Sequence, residues 1–232
     1  MKAVITGASR GIGKSIAHHF AAAGYDLFLC SRGEVALYQT MEEIQTRYPD
    51  RQFYASPADL SQFSEATAFA EWVLKIGVPQ ILVNNAGQFI QGSIGEEPAG
   101  TLEQLMNINL FSAYHLTRAL LPAMKAAGTG HIFNICSIAS LKAYPHGGSY
   151  GISKYALAGF SANLREELKT EGIKVTGVFP GATMSPSWEG SGVSPDRIMQ
   201  ADDIARMIVA AAGLSPAAVV EDIILRPQLG DL

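Results

Sequence analysis

Short apolar runs alternate with longer amphipathic runs along the whole chain, and this alternation narrows the fold more than any other feature. Residues 3–5, 26–30, 52–55, 81–84, 131–136, 174–179 and 222–226 read as strands. They are continuously apolar, as a sheet covered on both faces requires. Residues 11–23, 34–48, 61–76, 102–127, 149–171 and 202–212 read as helices. The fourth is expected to kink or restart at Pro122, where the ring clashes with the preceding turn. A β-α-β-α order predicts a doubly wound α/β fold, a parallel sheet of about seven strands with helices on both faces. The 232 residues suit one domain over 1–232, and no repeat or linker interrupts them. A segment rich in Gly, Ser and Pro follows the sixth strand, where open α/β sheets hold their ligands. Residues 181–200 therefore read as a mobile cover over a substrate.

Composition removes several function classes. The chain is 48% apolar and 16% charged, which excludes a disordered protein. Lys and Arg number 17 against 21 acids, so nothing favours nucleic acid or an anionic membrane as partner. No apolar run approaches the ~20 residues of a membrane helix, and the opening MKAVITGASRG lacks the long apolar stretch of a secretory signal. Cys30 and Cys136 are too few and too distant for a disulfide framework or a metal knuckle, which suggests a reducing cytoplasm. His18, His19, His115 and His131 have no cysteine or acid at ligand spacing, so no metal site is expected.

The segment Thr6-Gly7-Ala8-Ser9-Arg10-Gly11-Ile12-Gly13 joins the first strand to the first helix. Glycines there let the backbone turn sharply and approach a pyrophosphate, whose charge suits the N–H groups of a helix N-terminus. The spacing is G-x-x-x-G-x-G, and the strand-turn-helix context is that of a Rossmann-type dinucleotide site. An acid after the second strand would bind the ribose 2′-OH of NAD. Here that strand ends Cys30-Ser31-Arg32. Arg32 and Arg10 together favour a 2′-phosphate, and so NADPH over NADH.

Tyr150 and Lys154 lie four apart on a predicted helix and share a face. An ammonium ~5 Å from a phenolate, at an effective dielectric of ~20, attracts it by ~3 kcal/mol. That lowers a phenol pKa by about two units toward an acid/base range. Ser137 ends the preceding strand, where a hydroxyl can bind a substrate oxygen. Asn84, Asn85, Ala86 and Gly87 end the fourth strand, and Asn109 sits in the following helix. Amides in such apolar surroundings need partners, which implies a buried polar network.

Over essentially all its length, the chain resembles the short-chain dehydrogenase/reductases. TGASRGIG looks like their cofactor turn, contributing Gly7, Ser9, Arg10, Gly11, Ile12 and Gly13. Asp59, followed by Leu60, looks like the family's acid near the adenine, and Asn84-Asn85-Ala86-Gly87 resembles the segment lining the cofactor. Asn109, Ser137, Tyr150 and Lys154 match the catalytic tetrad residue by residue. Pro180-Gly181 resembles the turn under the nicotinamide, with Thr183 at the carboxamide; Ser185 stands where the family usually has threonine. The resemblance implies hydride transfer between NADP(H) and a carbonyl, with Tyr150 as proton donor and Ser137 orienting the oxygen. Lys154 would lower the Tyr150 pKa and hold the nicotinamide ribose, and Asn109 would hold a water that resupplies protons.

Candidate substrate residues are Gln88, Phe89, Ile138, Tyr144, His146, Met184 and Trp188. The short cover suggests a small or moderately bulky ketone or aldehyde. A 3-oxoacyl-thioester reductase acting on an acyl carrier shares every motif, and a non-catalytic NADP sensor is the distant alternative. The helices over 102–127 and 149–171 are apolar on more than one face, which predicts a homodimer or homotetramer built through them.

Overall fold

The computed structural model describes residues 1–185 and 192–231. Seven parallel strands form one sheet: β1 (Lys2–Thr6), β2 (Asp26–Ser31), β3 (Phe53–Pro57), β4 (Ile81–Asn84), β5 (Gly130–Ile135), β6 (Ile173–Pro180) and β7 (Asp222–Leu225). Their order is β3-β2-β1-β4-β5-β6-β7. The direction of winding reverses between β1 and β4, and the crevice at such a reversal is where open sheets bind ligands.

Both faces of the sheet are covered, so neighbouring residues of one strand serve opposite cores. Ala3 and Ile5 of β1, with Leu27 and Leu29 of β2, join the core that includes Ile16 and Phe20 of α1 (Gly11–Ala22). Leu37 and Ile44 of α2 (Glu34–Arg47) and Ile204 and Ile208 of α7 (Ala201–Ala212) complete that side. Val4 and Phe28 point into the second core, with Phe69 of α3 (Phe63–Ile76), Leu116 of α5 (Ser112–Ala127) and Leu164 of α6 (Gly148–Leu168). This two-sided demand is why the strands lack polar alternation.

The expected helix over 102–127 is built differently. α4 (Thr101–Met106) leads into a π-helical turn (Asn107–Phe111) and then into α5, which runs unbroken through Pro122. The irregularity therefore lies at Asn109 and not at the proline. A π turn inserts one residue into the helical path. Here it carries the Asn109 side chain to the backbone of Gln88, which it binds at both polar groups. No helix among the described residues is long and apolar enough to cross a membrane.

Candidate active site

The site lies at the carboxyl ends of β1, β4, β5 and β6. After β1 the chain turns at Gly7 (φ 64°) and Gly11 (φ 54°), both in the left-handed region open to glycine. A Cβ on Gly13 would collide with the Gly7 carbonyl oxygen and the Asn85 amide nitrogen. α1 starts after Arg10 with no side-chain cap and no acid in its first turn. Its N-terminal N–H groups thus suit an anion. The Ala8 N–H donates to the Cys30 carbonyl at 3.0 Å, tying the glycine turn to the end of β2. Arg10 and Arg32 each follow that link by two residues, and both are exposed.

Thr6 fastens β4 to this turn. Its Oγ1 accepts the N–H groups of Asn85 and Ala86, each at 2.9 Å. The Asn85 amide donates back to the carbonyls of Thr6 (2.9 Å) and Gly7 (3.2 Å). Asn84 turns the other way: its amide donates to Thr117 at 3.0 Å and to Asn134 Oδ1 at 2.8 Å, and Asn134 donates to Ser161 at 2.8 Å. These partners satisfy the buried amide N–H groups, as apolar surroundings demand, while the buried Asn84 Oδ1 has none among the described residues.

The tetrad residues converge from three elements. Asn109 Oδ1 accepts the Gln88 N–H at 2.8 Å, and its Nδ2 donates to the Gln88 carbonyl at 3.0 Å and to Ser153 Oγ at 2.9 Å. Ser153 Oγ in turn donates to the Tyr150 carbonyl at 2.8 Å. A Cβ on Gly87 would stand 3.1 Å from Asn109 Oδ1 and 3.6 Å from Lys154 Nζ, so Gly87 lies close over both. Ser137 caps the short 3-10 turn Ile138–Ser140 that follows β5, accepting the Ala139 N–H at 3.1 Å. Its hydroxyl lies near enough to the Tyr150 phenol to favour the phenolate.

The electrostatics depart from the spacing argument in one respect. Burial pushes the Tyr150 phenol up to about 12, and the neighbouring Ser137 hydroxyl opposes that shift only in part. The expected lowering by Lys154 is absent, and the cost of removing a phenolate from water dominates. Lys154 itself is buried, with Nζ donating to the Ile135 carbonyl at 2.8 Å and standing 5.9 Å from the Tyr150 ring centre. Burial brings its ammonium down to about 8. Cys136 beside Ser137 is buried, and burial pushes its thiol up to about 11, away from the reactive thiolate.

The substrate candidates divide. Phe89 packs edge-on against the Tyr150 ring, with centroids 4.8 Å apart. Gln88 accepts from Gln104 at 3.2 Å, and Ile138 opens the turn beyond Ser137. The exposed Tyr144 ring lies against Gly147. His146 is engaged by the Ser93 hydroxyl at 2.8 Å. Met184 pairs with Met199 through backbone hydrogen bonding, and Trp188 lies outside the described residues. Asp59 holds Ser61 through its N–H and hydroxyl, Leu60 is buried, and buried Thr183 donates to the Gly181 carbonyl at 2.9 Å. Pro180 ends β6, and Ser185 lies half-buried. Among the described residues no three His, Cys, Asp or Glu side chains are placed to hold a metal.

Residues 1–192 match the short chain dehydrogenase family. The chain is a member of this family. A sepiapterin reductase from Chlorobaculum tepidum is 32% identical over 99% of this chain and 97% of its own. An alcohol dehydrogenase from Thermococcus sibiricus, solved with 5-hydroxy-NADP, superposes with a TM-score of 0.91 at 26% identity, covering 100% of this chain and 98% of that one. A metagenomic short-chain oxidoreductase solved with NADP gives a TM-score of 0.84 at 31% identity, over 98% and 97% of the two chains.

Two positions of this short-chain dehydrogenase were not singled out from sequence. Thr6 joins the glycine turn to β4, and its signal was a hydroxyl between an apolar strand and the first glycine. Glu97 sits in the irregular loop over 88–100, where no periodicity marks one acid above its neighbours, yet it reaches Ser149 beside Tyr150.

Proposed function

We propose that the protein is a cytoplasmic NADPH-dependent carbonyl reductase acting on small or moderately bulky ketones and aldehydes. The observation that carries this reading is the buried Lys154 ammonium, anchored on the Ile135 carbonyl and held 5.9 Å from the centre of the Tyr150 ring, with Ser137 beside the same phenol. The chain's own residues fit the cofactor. An uncapped helix N-terminus and a glycine that tolerates no Cβ suit the pyrophosphate, while Arg10 and Arg32 suit a 2′-phosphate. Gly7, Ser9, Gly11, Ile12 and Gly13 would line the pyrophosphate side, and Asp59, Leu60, Asn85, Ala86 and Gly87 the adenine and ribose side. Pro180, Gly181, Thr183 and Ser185 would meet the nicotinamide. Both cysteines are free and buried, in keeping with a reducing compartment.

When bound, NADPH supplies the hydride. Tyr150, held near 12, is fully protonated at neutral pH and so is a proton donor to the carbonyl oxygen. Ser137 donates to the same oxygen and polarises the carbonyl. Lys154, anchored on the Ile135 carbonyl, places a positive charge beside the oxygen as it becomes anionic. Asn109 fixes the backbone of Gln88 and so sets the wall from which Phe89 reaches Tyr150.

Leu102, Phe111, Ile152 and Tyr155 are exposed on α4, the π turn and α6. They support a homodimer or homotetramer through these helices, and a monomer by light scattering at micromolar concentration would contradict it. The function is tested by following NADPH and NADH consumption with diketones, aldehydes, free ketones, sepiapterin and acetoacetyl thioesters. Turnover of free carbonyls with NADPH is expected. Turnover confined to the thioesters would make the protein a 3-oxoacyl-thioester reductase, and cofactor binding with no turnover would contradict a catalytic role.

A further inference from the structure

The loop over 88–100 is tied by side-chain hydrogen bonds to the helix that carries Tyr150 at two points. One is Asn109. The other is Glu97. Its Oε1 accepts the Ser149 N–H at 2.9 Å, and its Oε2 accepts the Ser149 hydroxyl. Ser149 immediately precedes Tyr150. α6 has neither a side-chain cap at its own N-cap position nor an acid in its first turn, so the carboxylate that meets its positive end arrives from 52 residues away.

The fit around this contact is close. A Cβ on Gly148 (φ 37°) would collide with Glu97 Oε1 and with the Gly92 carbonyl oxygen. The Gly92 N–H donates to the His146 carbonyl at 3.1 Å, and the Ser93 hydroxyl meets His146 Nδ1 at 2.8 Å. His146 (φ 60°) is the one non-glycine with a positive φ among the described residues. Such a conformation persists where its surroundings over-determine it. Phe89, on the same loop, packs edge-on to Tyr150.

We propose that Glu97 is a positioning residue for the reaction. By holding the first turn of α6 at Ser149, it keeps the Tyr150 hydroxyl against Ser137 and the Tyr150 ring against Phe89. This inference rests on Tyr150 being the proton donor. Losing the carboxylate loosens the donor while leaving the glycine turn untouched, because that turn is held separately by Thr6 and Asn85. The cost therefore falls on kcat and not on NADPH affinity.

The test uses the whole protein with Glu97→Ala, Glu97→Gln and the neighbouring Glu96→Ala as control. Carbonyl kinetics, NADPH affinity, melting temperature and amide exchange across 146–152 are measured. Glu97→Ala should lower kcat by about 10- to 100-fold, because misplacing a reacting group costs on that order. KM and NADPH affinity should move little, and exchange at Ser149 and Tyr150 should speed up. Glu97→Gln should recover much of kcat, since its amide oxygen still accepts the Ser149 N–H; Glu96→Ala should match wild type. Wild-type kcat in Glu97→Ala would overturn the proposal, as would a loss that Gln does not restore. Should Glu97→Ala not fold, Ser149→Ala carries the same test, with kcat reduced and NADPH affinity kept, while Glu97→Gln should again stay near wild type. If wild type itself turns over no carbonyl, the reading of Tyr150 fails separately. Unchanged exchange at Ser149 and Tyr150 in Glu97→Ala would then overturn the positioning role by itself.

Discussion

Lys154 places its ammonium 5.9 Å from the centre of the Tyr150 ring while donating at 2.8 Å to the Ile135 carbonyl. The two groups are driven in opposite directions by the same cause. Burial disfavours the charged form of each, raising the phenol to about 12 and lowering the ammonium to about 8. At neutral pH both therefore carry their protons, the state suited to carbonyl reduction.

A pH profile follows from these values. Tyr150 stays protonated throughout the accessible range, so the basic limb of reduction belongs to Lys154. The rate should be flat near neutrality and decline above about pH 8, as Lys154 loses the charge that stabilises the developing oxyanion. Stopped-flow hydride transfer with saturating NADPH, measured from pH 6 to about 10, checks this limb. A rate that rises through pH 8 would contradict the assignment.

The proposed preference for NADPH is assigned to Arg10 and Arg32, exposed beyond the linked ends of β1 and β2. A charge-assisted hydrogen bond is worth about 1.5–3 kcal/mol, or roughly 10- to 100-fold in affinity. Arg32→Ala should weaken NADPH by that order and leave NADH nearly unchanged. Isothermal titration of the two cofactors reads the difference, and equal loss for both would remove Arg32 from the 2′-phosphate.

Stability should depend on pH through His131. Its ring is buried, stacked on Phe133, with Nε2 on Thr176 at 2.7 Å and Nδ1 without a partner. Burial brings its pKa from 6.5 down to about 3. Between those values the unfolded chain binds a proton that the folded chain refuses, so stability falls as pH drops through that window. The slope from one such proton approaches about 1.4 kcal/mol per pH unit. His131→Gln should flatten the acid limb in urea titrations run at several pH values, and an unchanged limb would clear His131 of this role.

The order of elements was legible because the strands are buried on both faces and so are marked by contiguous apolar residues. The glycine turn was legible because its spacing is local; of the tetrad only Tyr150 and Lys154 stand at local spacing, and Asn109 and Ser137 were assigned through the family resemblance. What sequence did not show depends on contacts between distant segments. The π turn at Asn107–Phe111 goes with the grip of Asn109 on Gln88, 21 residues away, whereas Pro122 was the only local signal of irregularity. The Tyr150 pKa was misjudged because helical spacing reports the nearby ammonium but not the desolvation imposed by the folded chain. Glu97 had no pattern to mark it, since its partner Ser149 is brought to it only by the tertiary fold.

The central claim is that Tyr150 transfers the proton. Its direct test is the single-turnover rate of Tyr150→Phe with the best carbonyl of the panel, measured beside NADPH affinity. The ring of phenylalanine keeps the packing against Phe89 and removes only the hydroxyl. The account predicts that turnover falls by at least about 100-fold, the span expected for a lost general acid, with NADPH affinity nearly unchanged. Turnover near wild type in Tyr150→Phe would contradict it.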